Sequence, residues 1–400
     1  MRAIVLTALL PAVALASPPP GHNRTGVLLI PMDQGAEAQA LKMETWMVEA
    51  LEEFSSVAVK RTDELFGLPP DEEAEASLKR AEKGYEESDR AFTAGDLEDA
   101  ERKLRATLKE YRKAAAAMSS CGHLCDALAM YAATLHRRGD SEEAKLALID
   151  LLALEPSYDV NVKKLGRELL TLKTQVATSR SAAFRGNANV KTRPAGARVY
   201  VDGDFKGFSP VTVSTLPVGK HLLRIERPGF KRYGAIIEVT PDDVDVSTEL
   251  LPTPAWKAWD GQMDQVAADA SRGSGPSLSA VGKNLALDRA LIGTVKELDQ
   301  SGATEVNVGV FELHSGKRLA AKKVIYQGDE FGQLRHEVER LVNQLFNSIG
   351  KAKETASRSS DPLENTSGTE DWSSDDRGGR NENKRSNGDP LDGISGMEDW

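Results

Sequence analysis

The apolar positions change period several times along the chain, and each change marks an expected element. Residues 26–30 are an unbroken Gly-Val-Leu-Leu-Ile run ended by Pro31, which predicts a short buried strand. Residues 37–54 place Ala40, Leu41, Met47, Ala50, Leu51 and Phe54 on one helical face, and residues 57–59 return as a strand. A β-α-β fragment this small cannot close a core alone, so more sheet is expected elsewhere. Near the other end, residues 277–287 read as a helix, and residues 290–298, 305–313 and 318–326 read as strands. His314-Ser315-Gly316-Lys317 makes the turn between the last two strands. A final helix over 331–346 carries Leu334, Val338, Leu341, Val342 and Leu345 on one face. The pattern predicts one α/β domain split into residues 24–70 and 277–350.

Residues 75–180 lie between these halves and show helical spacing. Tyr85, Ala91, Gly95, Ala100 and Leu104 fit one helix pair, and Ala132, Leu135, Gly139, Ala144, Leu148 and Pro156 fit a second. Small alanines let paired helices approach, a glycine makes each turn, and Pro156 ends the unit. The spacing resembles tetratricopeptide-like repeats, although the two glycines are further apart than that repeat requires. Such a stack implies either a concave peptide-binding face or a packing scaffold. A further helix over 162–176 would cap it and lead through polar residues 179–189 into the next module.

Residues 187–253 change to period two, punctuated by turn residues. Pro194-Ala195-Gly196-Ala197 turns the chain, residues 198–201 alternate as a strand, and Asp202-Gly203 is a hairpin signal because both turn positions require positive φ. Strands are expected over 211–214 and 221–227, the second following a turn at Gly219, before Gly229 breaks the pattern. A last pair is expected over 233–240 and 244–251. The residues Pro194 to Ala197, Val199 to Gly203, Gly207-Phe208-Ser209-Pro210, Leu216 to His221 and Gly229-Phe230 resemble the PEGA domain family. One residue departs from the namesake tetrad, Ala195 standing where that family has glutamate. The resemblance implies a β-sandwich adhesion or scaffold module of bacterial envelopes, with no catalytic residues to carry over.

Residues 254–276 read as a linker with some helix, in which Trp256 and Trp259 are expected to pack against a neighbouring domain. The two outer segments together resemble the α/β domain shared by the TolB amino-terminal region and CsgG-like envelope lipoproteins. That resemblance rests on Pro31, on Asp288-Arg289-Ala290-Leu291-Ile292-Gly293 and on Ser315-Gly316.

Composition bounds the two ends. Residues 1–16 carry Arg2, an apolar run and an Ala-x-Ala site, which predicts a cleaved secretory signal peptide and a periplasmic or secreted chain without a spanning segment. Residues 351–400 are too poor in aliphatic side chains to offset chain entropy, so a disordered acidic tail is expected. Within it, residues 361–372 recur as residues 389–400, each copy opening on Asp-Pro-Leu and closing on Glu-Asp-Trp. Asp361, Pro362, Leu363 and Trp372, with Asp389, Pro390, Leu391 and Trp400, are the candidate partner-binding residues. Duplication without a partner is the competing explanation.

The chain has 400 residues, 40% hydrophobic and 28% charged, with a net charge of -10. That balance argues against a nucleic-acid surface, which needs clustered cations to displace counterions. Cys121 and Cys125 are the only cysteines, and their spacing in an oxidising compartment admits a disulfide. A metal site using His123 would fall short of a four-ligand set. No phosphate loop, Gly-x-Ser-x-Gly or His-Glu-x-x-His sequence is present, so neither catalytic residues nor a cofactor or metal are expected.

The sequence therefore predicts a multi-domain α+β protein: a split α/β domain, an inserted helical-repeat unit, a PEGA-like β-sandwich and a disordered tail. The expected role is a non-enzymatic exported envelope scaffold or adaptor that binds envelope proteins, cell-wall material or surface polymers. An accessory subunit of a transport, motility or secretion machine is the nearest alternative, and an envelope hydrolase with an interdomain site is the alternative from a different class.

Overall fold

The computed structural model describes residues 23–180, 185–298, 303–327 and 333–358. In chain order the first elements are β1 (Asn23–Pro31), α1 (Ala36–Glu52), β2 (Val57–Val59) and α2 (Thr62–Phe66). The helices α3 (Glu72–Thr93), α4 (Leu97–Lys113), α5 (Gly122–Arg138), α6 (Ser141–Leu154), α7 (Val162–Leu165) and α8 (Arg167–Arg180) follow. Seven strands come next: β3 (Arg185–Arg193), β4 (Arg198–Val201), β5 (Asp204–Phe208), β6 (Val211–Pro217), β7 (Gly219–Glu226), β8 (Tyr233–Val239) and β9 (Val244–Glu249). The chain then forms α9 (Pro254–Asp260), α10 (Met263–Arg272), α11 (Pro276–Asn284), β10 (Arg289–Leu298), β11 (Ala303–Glu312), β12 (Lys317–Gln327) and α12 (Gln333–Arg358). The architecture is multi-domain α+β.

The two sequence ends share one five-stranded sheet, ordered β12-β11-β10-β1-β2. Strand β1 runs parallel to β10, with Gly26 opposite Ala290 and Ile30 opposite Thr294. Alternation along β1 sorts its side chains between two layers, as the two-residue period of a strand requires. Val27 and Leu29 meet α1 and α12 on one face, while Leu28 and Ile30 meet Phe66, Trp259, Val266 and Leu278 on the other. Residues 254–276 are therefore not a linker. They form α9 and α10, whose Trp259, Val266 and Ala270 are buried against the sheet. The final helix also runs beyond the expected boundary at residue 351, reaching Arg358.

Helices α3 to α8 build the largest apolar cluster. Gly95 and Gly139 take positive φ at the two expected turns, and Ala100, Leu104, Ala132, Ala144 and Leu148 are buried there. The α5 end shows how the local sequence stops a helix: Gly139 is left-handed, its N–H reaches the His136 carbonyl at 3.1 Å, and the Asp140 N–H reaches the Leu135 carbonyl at 2.9 Å.

The β module consists of a three-stranded sheet, β6-β3-β9, and a four-stranded sheet, β5-β4-β7-β8, that share one core. One expected boundary is corrected here. The module begins at Arg185, because Gly186, Ala188, Val190 and Thr192 alternate inward from a segment whose small and polar residues read as a leader. The last two expected strands, over 233–240 and 244–251, both form but do not pair with each other. Strand β8 pairs with β7, whereas β9 crosses to the opposite sheet and runs parallel to β3.

A candidate binding groove between the helices and the β module

The β module is fixed to the helices by close backbone approach. A Cβ on Gly234 would lie 2.2 Å from the Ala116 backbone nitrogen, so only glycine lets β8 reach the 3-10 turn Ala115–Ala117. Leu222 of β7 enters the helical core, with Ile236 of β8 packed against it. Beside this contact the two units leave a groove of about 630 Å³, a volume typical of small-ligand and side-chain pockets.

Three helices line the groove, each with one stripe. On α4 the stripe is Arg105, Leu108, Lys109 and Arg112, offset around the helix from Leu104, Thr107 and Tyr111, which are buried. Leu124, Leu128 and Tyr131 come from α5, while Glu143, Leu146, Ala147, Asp150 and Leu154 come from α6. Lys220 and Ile236 close the β side. The floor is aliphatic and the rim is charged. Leu146 is 62% exposed, an unusual position for a leucine flanked by buried core residues.

The rim charges are unequal in their pairing. Arg105 bonds Glu101 at 2.9 Å and Glu143 at 3.0 Å, and its guanidinium lies 5.5 Å from the Tyr131 ring. Lys220 meets Asp150 at 2.5 Å. Lys109 and Arg112 have no ion pair among the described residues, and both are exposed. Burial pushes the Tyr131 phenol upward against the opposing pull of Arg105, so it stays a neutral hydrogen-bond donor at the groove edge. The lining thus combines apolar surface, one neutral hydroxyl and a net excess of cations.

A disulfide joins Cys121 and Cys125, with α-carbons 5.5 Å apart, at the start of the helix that supplies Leu124 and Leu128. His123 is not turned toward sulfur. It pairs with Glu82 and stacks on Tyr85 at 5.1 Å. Among the described residues no group of three or more His, Cys, Asp or Glu side chains could hold a metal ion, and no helix is long and apolar enough to cross a membrane.

The other sequence-predicted residues lie away from the groove. Asp202 and Gly203 have φ of 54° and 94°, as a two-residue hairpin turn needs. The Asp202 carboxylate accepts from the Leu222 N–H at 2.8 Å and contacts the His221 ring at 2.6 Å. Pro194 and Gly196 belong to a turn seated on α1, where the Ala195 N–H donates to Glu37 at 3.0 Å. Gly219 faces Ala153 of α6, and Gly229 packs under Trp256, which also meets Phe66 at 5.3 Å. These turns join the β module to its neighbours. The candidate partner-binding residues Asp361, Pro362, Leu363, Trp372, Asp389, Pro390, Leu391 and Trp400 lie outside the described residues, as does the expected signal peptide.

Sequence reasoning did not identify the groove, because its lining comes from five elements in two units. The available signal was the i, i+3, i+4, i+7 stripe from Arg105 to Arg112, which mixes cations with leucine on a helix whose core face is elsewhere. Neither the curated proteins nor the solved structures yield a match to this chain. Residues 185–253, the seven strands from β3 to β9 and the segment that follows them, match the PEGA domain family.

Proposed function

We propose that this chain is a non-enzymatic, exported scaffold or adaptor of the cell envelope, periplasmic or secreted, whose groove binds a protein partner. The observation that carries this reading is the groove itself: an aliphatic floor with exposed Leu146, bordered by unpaired Lys109 and Arg112. The PEGA match supports a binding module of the cell surface, and the resemblance of the outer domain to TolB and CsgG-like proteins and the signal-peptide pattern point to the same compartment. The helical unit contributes the recognition surface in the manner of tetratricopeptide-like stacks. The β module acts as a wall of the site and as the joint between helices and α/β domain.

Glu44 is a buried carboxyl outside the groove whose oxygens are both satisfied. Glu44 accepts from the Leu29 N–H at 3.1 Å and from the Thr62 hydroxyl at 2.8 Å, inside the joint between α1 and β1. The test is a photo-crosslinking residue placed at Leu146, with adducts from an envelope fraction identified by mass spectrometry. A discrete protein adduct that disappears in the Lys109→Glu/Arg112→Glu variant is the expected result. No adduct, or the same adducts with the variant, would remove the groove from the function.

A further inference from the structure

The groove and the repeated segment near the end of the chain have matching chemistry. Residues 361–372 carry Asp361, Glu364, Glu370 and Asp371 with no lysine or arginine, and residues 389–400 carry Asp389, Asp392, Glu398 and Asp399, again without a cation. Each copy offers a leucine near its start and a tryptophan at its end. The groove presents the complement: two unpaired cations on α4, two more on its rim held by Glu143 and Asp150, and an open aliphatic floor. On a chain with a net charge of -10, a local excess of cations attracts an acidic segment to that place.

Building on the reading of the groove as a partner site, we infer that it docks the acidic repeat of a second copy of this chain. Leu146, Leu128 and Ile236 would receive the tryptophan and leucine side chains, and Lys109 and Arg112 would meet the paired acidic residues before each tryptophan. Aromatic anchors in apolar pockets with cations around them are the usual source of peptide affinity. The stoichiometry favours a link between copies. The groove is built once per chain, whereas the repeat occurs twice, so every groove-to-repeat contact leaves a repeat over for another molecule. Two repeats on one chain can then bridge two grooves, and the gain from joining them exceeds the affinity of either alone.

The experiment uses the full chain and fluorescein-labelled synthetic peptides of residues 361–372 and 389–400. Anisotropy titrations should show saturable binding of both peptides, weakened at least tenfold in Lys109→Glu/Arg112→Glu and in Leu146→Glu, and lost when tryptophan is replaced by alanine in the peptide. Sedimentation velocity of the full chain should show self-association that grows with concentration and vanishes in Trp372→Ala/Trp400→Ala. Equal binding by wild type and both groove variants, or no binding of either peptide, overturns the assignment. So does a monomer at all concentrations whose groove takes peptide only after its own two tryptophans are replaced, a result that would assign the repeat to its own chain. If the crosslinker at Leu146 captures an envelope protein while the peptides fail, this inference falls and the proposed function stands.

Discussion

Arg24 and Asp288 are 264 positions apart, and the Arg24 guanidinium donates to both carboxylate oxygens of Asp288, at 3.1 and 3.0 Å. The Arg24 backbone N–H adds a third bond at 3.0 Å. The pair sits where β1 and β10 enter the sheet side by side, so it fixes the register that closes the split domain. Two-point recognition of a carboxylate by arginine is specific in geometry as well as attractive.

Asp288→Asn should therefore lower stability by about 1 kcal/mol at neutral pH, a modest figure because both side chains are partly exposed. The hydrogen bonds from Arg24 hold the Asp288 carboxyl below the ordinary carboxylate range. A folded value below the unfolded one, which is about 3.9, means that this stability is present above pH 4 and is lost as pH falls through the folded value. Urea denaturation at pH 7 and pH 3 should show a difference between wild type and Asp288→Asn that shrinks at the lower pH. A constant difference would remove the pair from the linkage.

Glu44 should behave in the opposite sense. Burial pushes its carboxyl up to about 7, against the hydrogen bond from Leu29, that from Thr62 and the charges of Arg227 and Arg198. The folded protein then holds this proton more tightly than the unfolded chain, so stability falls as pH rises from about 4.5 to about 7. Glu44→Gln removes the slope and should raise stability at pH 8 relative to pH 5, by up to about 3 kcal/mol. The check is the difference in denaturation midpoint between variant and wild type at the two pH values. A difference independent of pH would show that Glu44 is already ionised in the folded state at pH 5.

What the sequence made legible follows from what each signal depends on. The unbroken apolar run at residues 26–30 and the alternation at residues 305–313 report burial on two faces and on one, and both are local. The register of Gly26 opposite Ala290 depends on contacts across the domain, and only the need for more sheet pointed to it. Glu44 lies on the apolar face between Leu41 and Val48, where a single charge looks like a break in a helical stripe and not like the partner of Leu29. Residues 254–276 read as a linker because Gly261 and Gly273 interrupt the helices, yet a short helix needs only one buried stripe to dock. The turn residues of the β module were readable because positive φ is a property of the residue itself. The groove was not, because no segment contains more than five of its fourteen lining residues.

The disulfide sits in the helical core, with both cysteines buried. Closing so short a loop restrains the unfolded chain by only about 2 kcal/mol in the chain-entropy account. Cys121→Ser/Cys125→Ser should lower the unfolding free energy by about that amount, and excess reductant should do the same to wild type. A larger effect is expected on the first turn of α5, measured by hydrogen exchange at Leu124 and Leu128. Unchanged exchange there would show that packing alone holds this end of the groove.

Gly234 gives the strongest test of how the groove is held. Its added Cβ would meet backbone atoms of Ala115 and Ala116 at 2.3 and 2.2 Å, and backbone cannot move aside as a flexible side chain can. Gly234→Ala must therefore push β8 away from the helices, at a cost of about 1–3 kcal/mol. The displaced strand carries Ile236, two residues along on the same face of the sheet, so the groove widens with the joint. The variant should thus lose stability and groove function together, read as a lower denaturation midpoint and weaker crosslinking from a probe at Leu146. A structural role confined to the β module would separate the two. Lowered stability with unchanged crosslinking would mean that the three helices form the site alone, and a midpoint equal to that of wild type would mean that β8 does not depend on its close approach to Ala116.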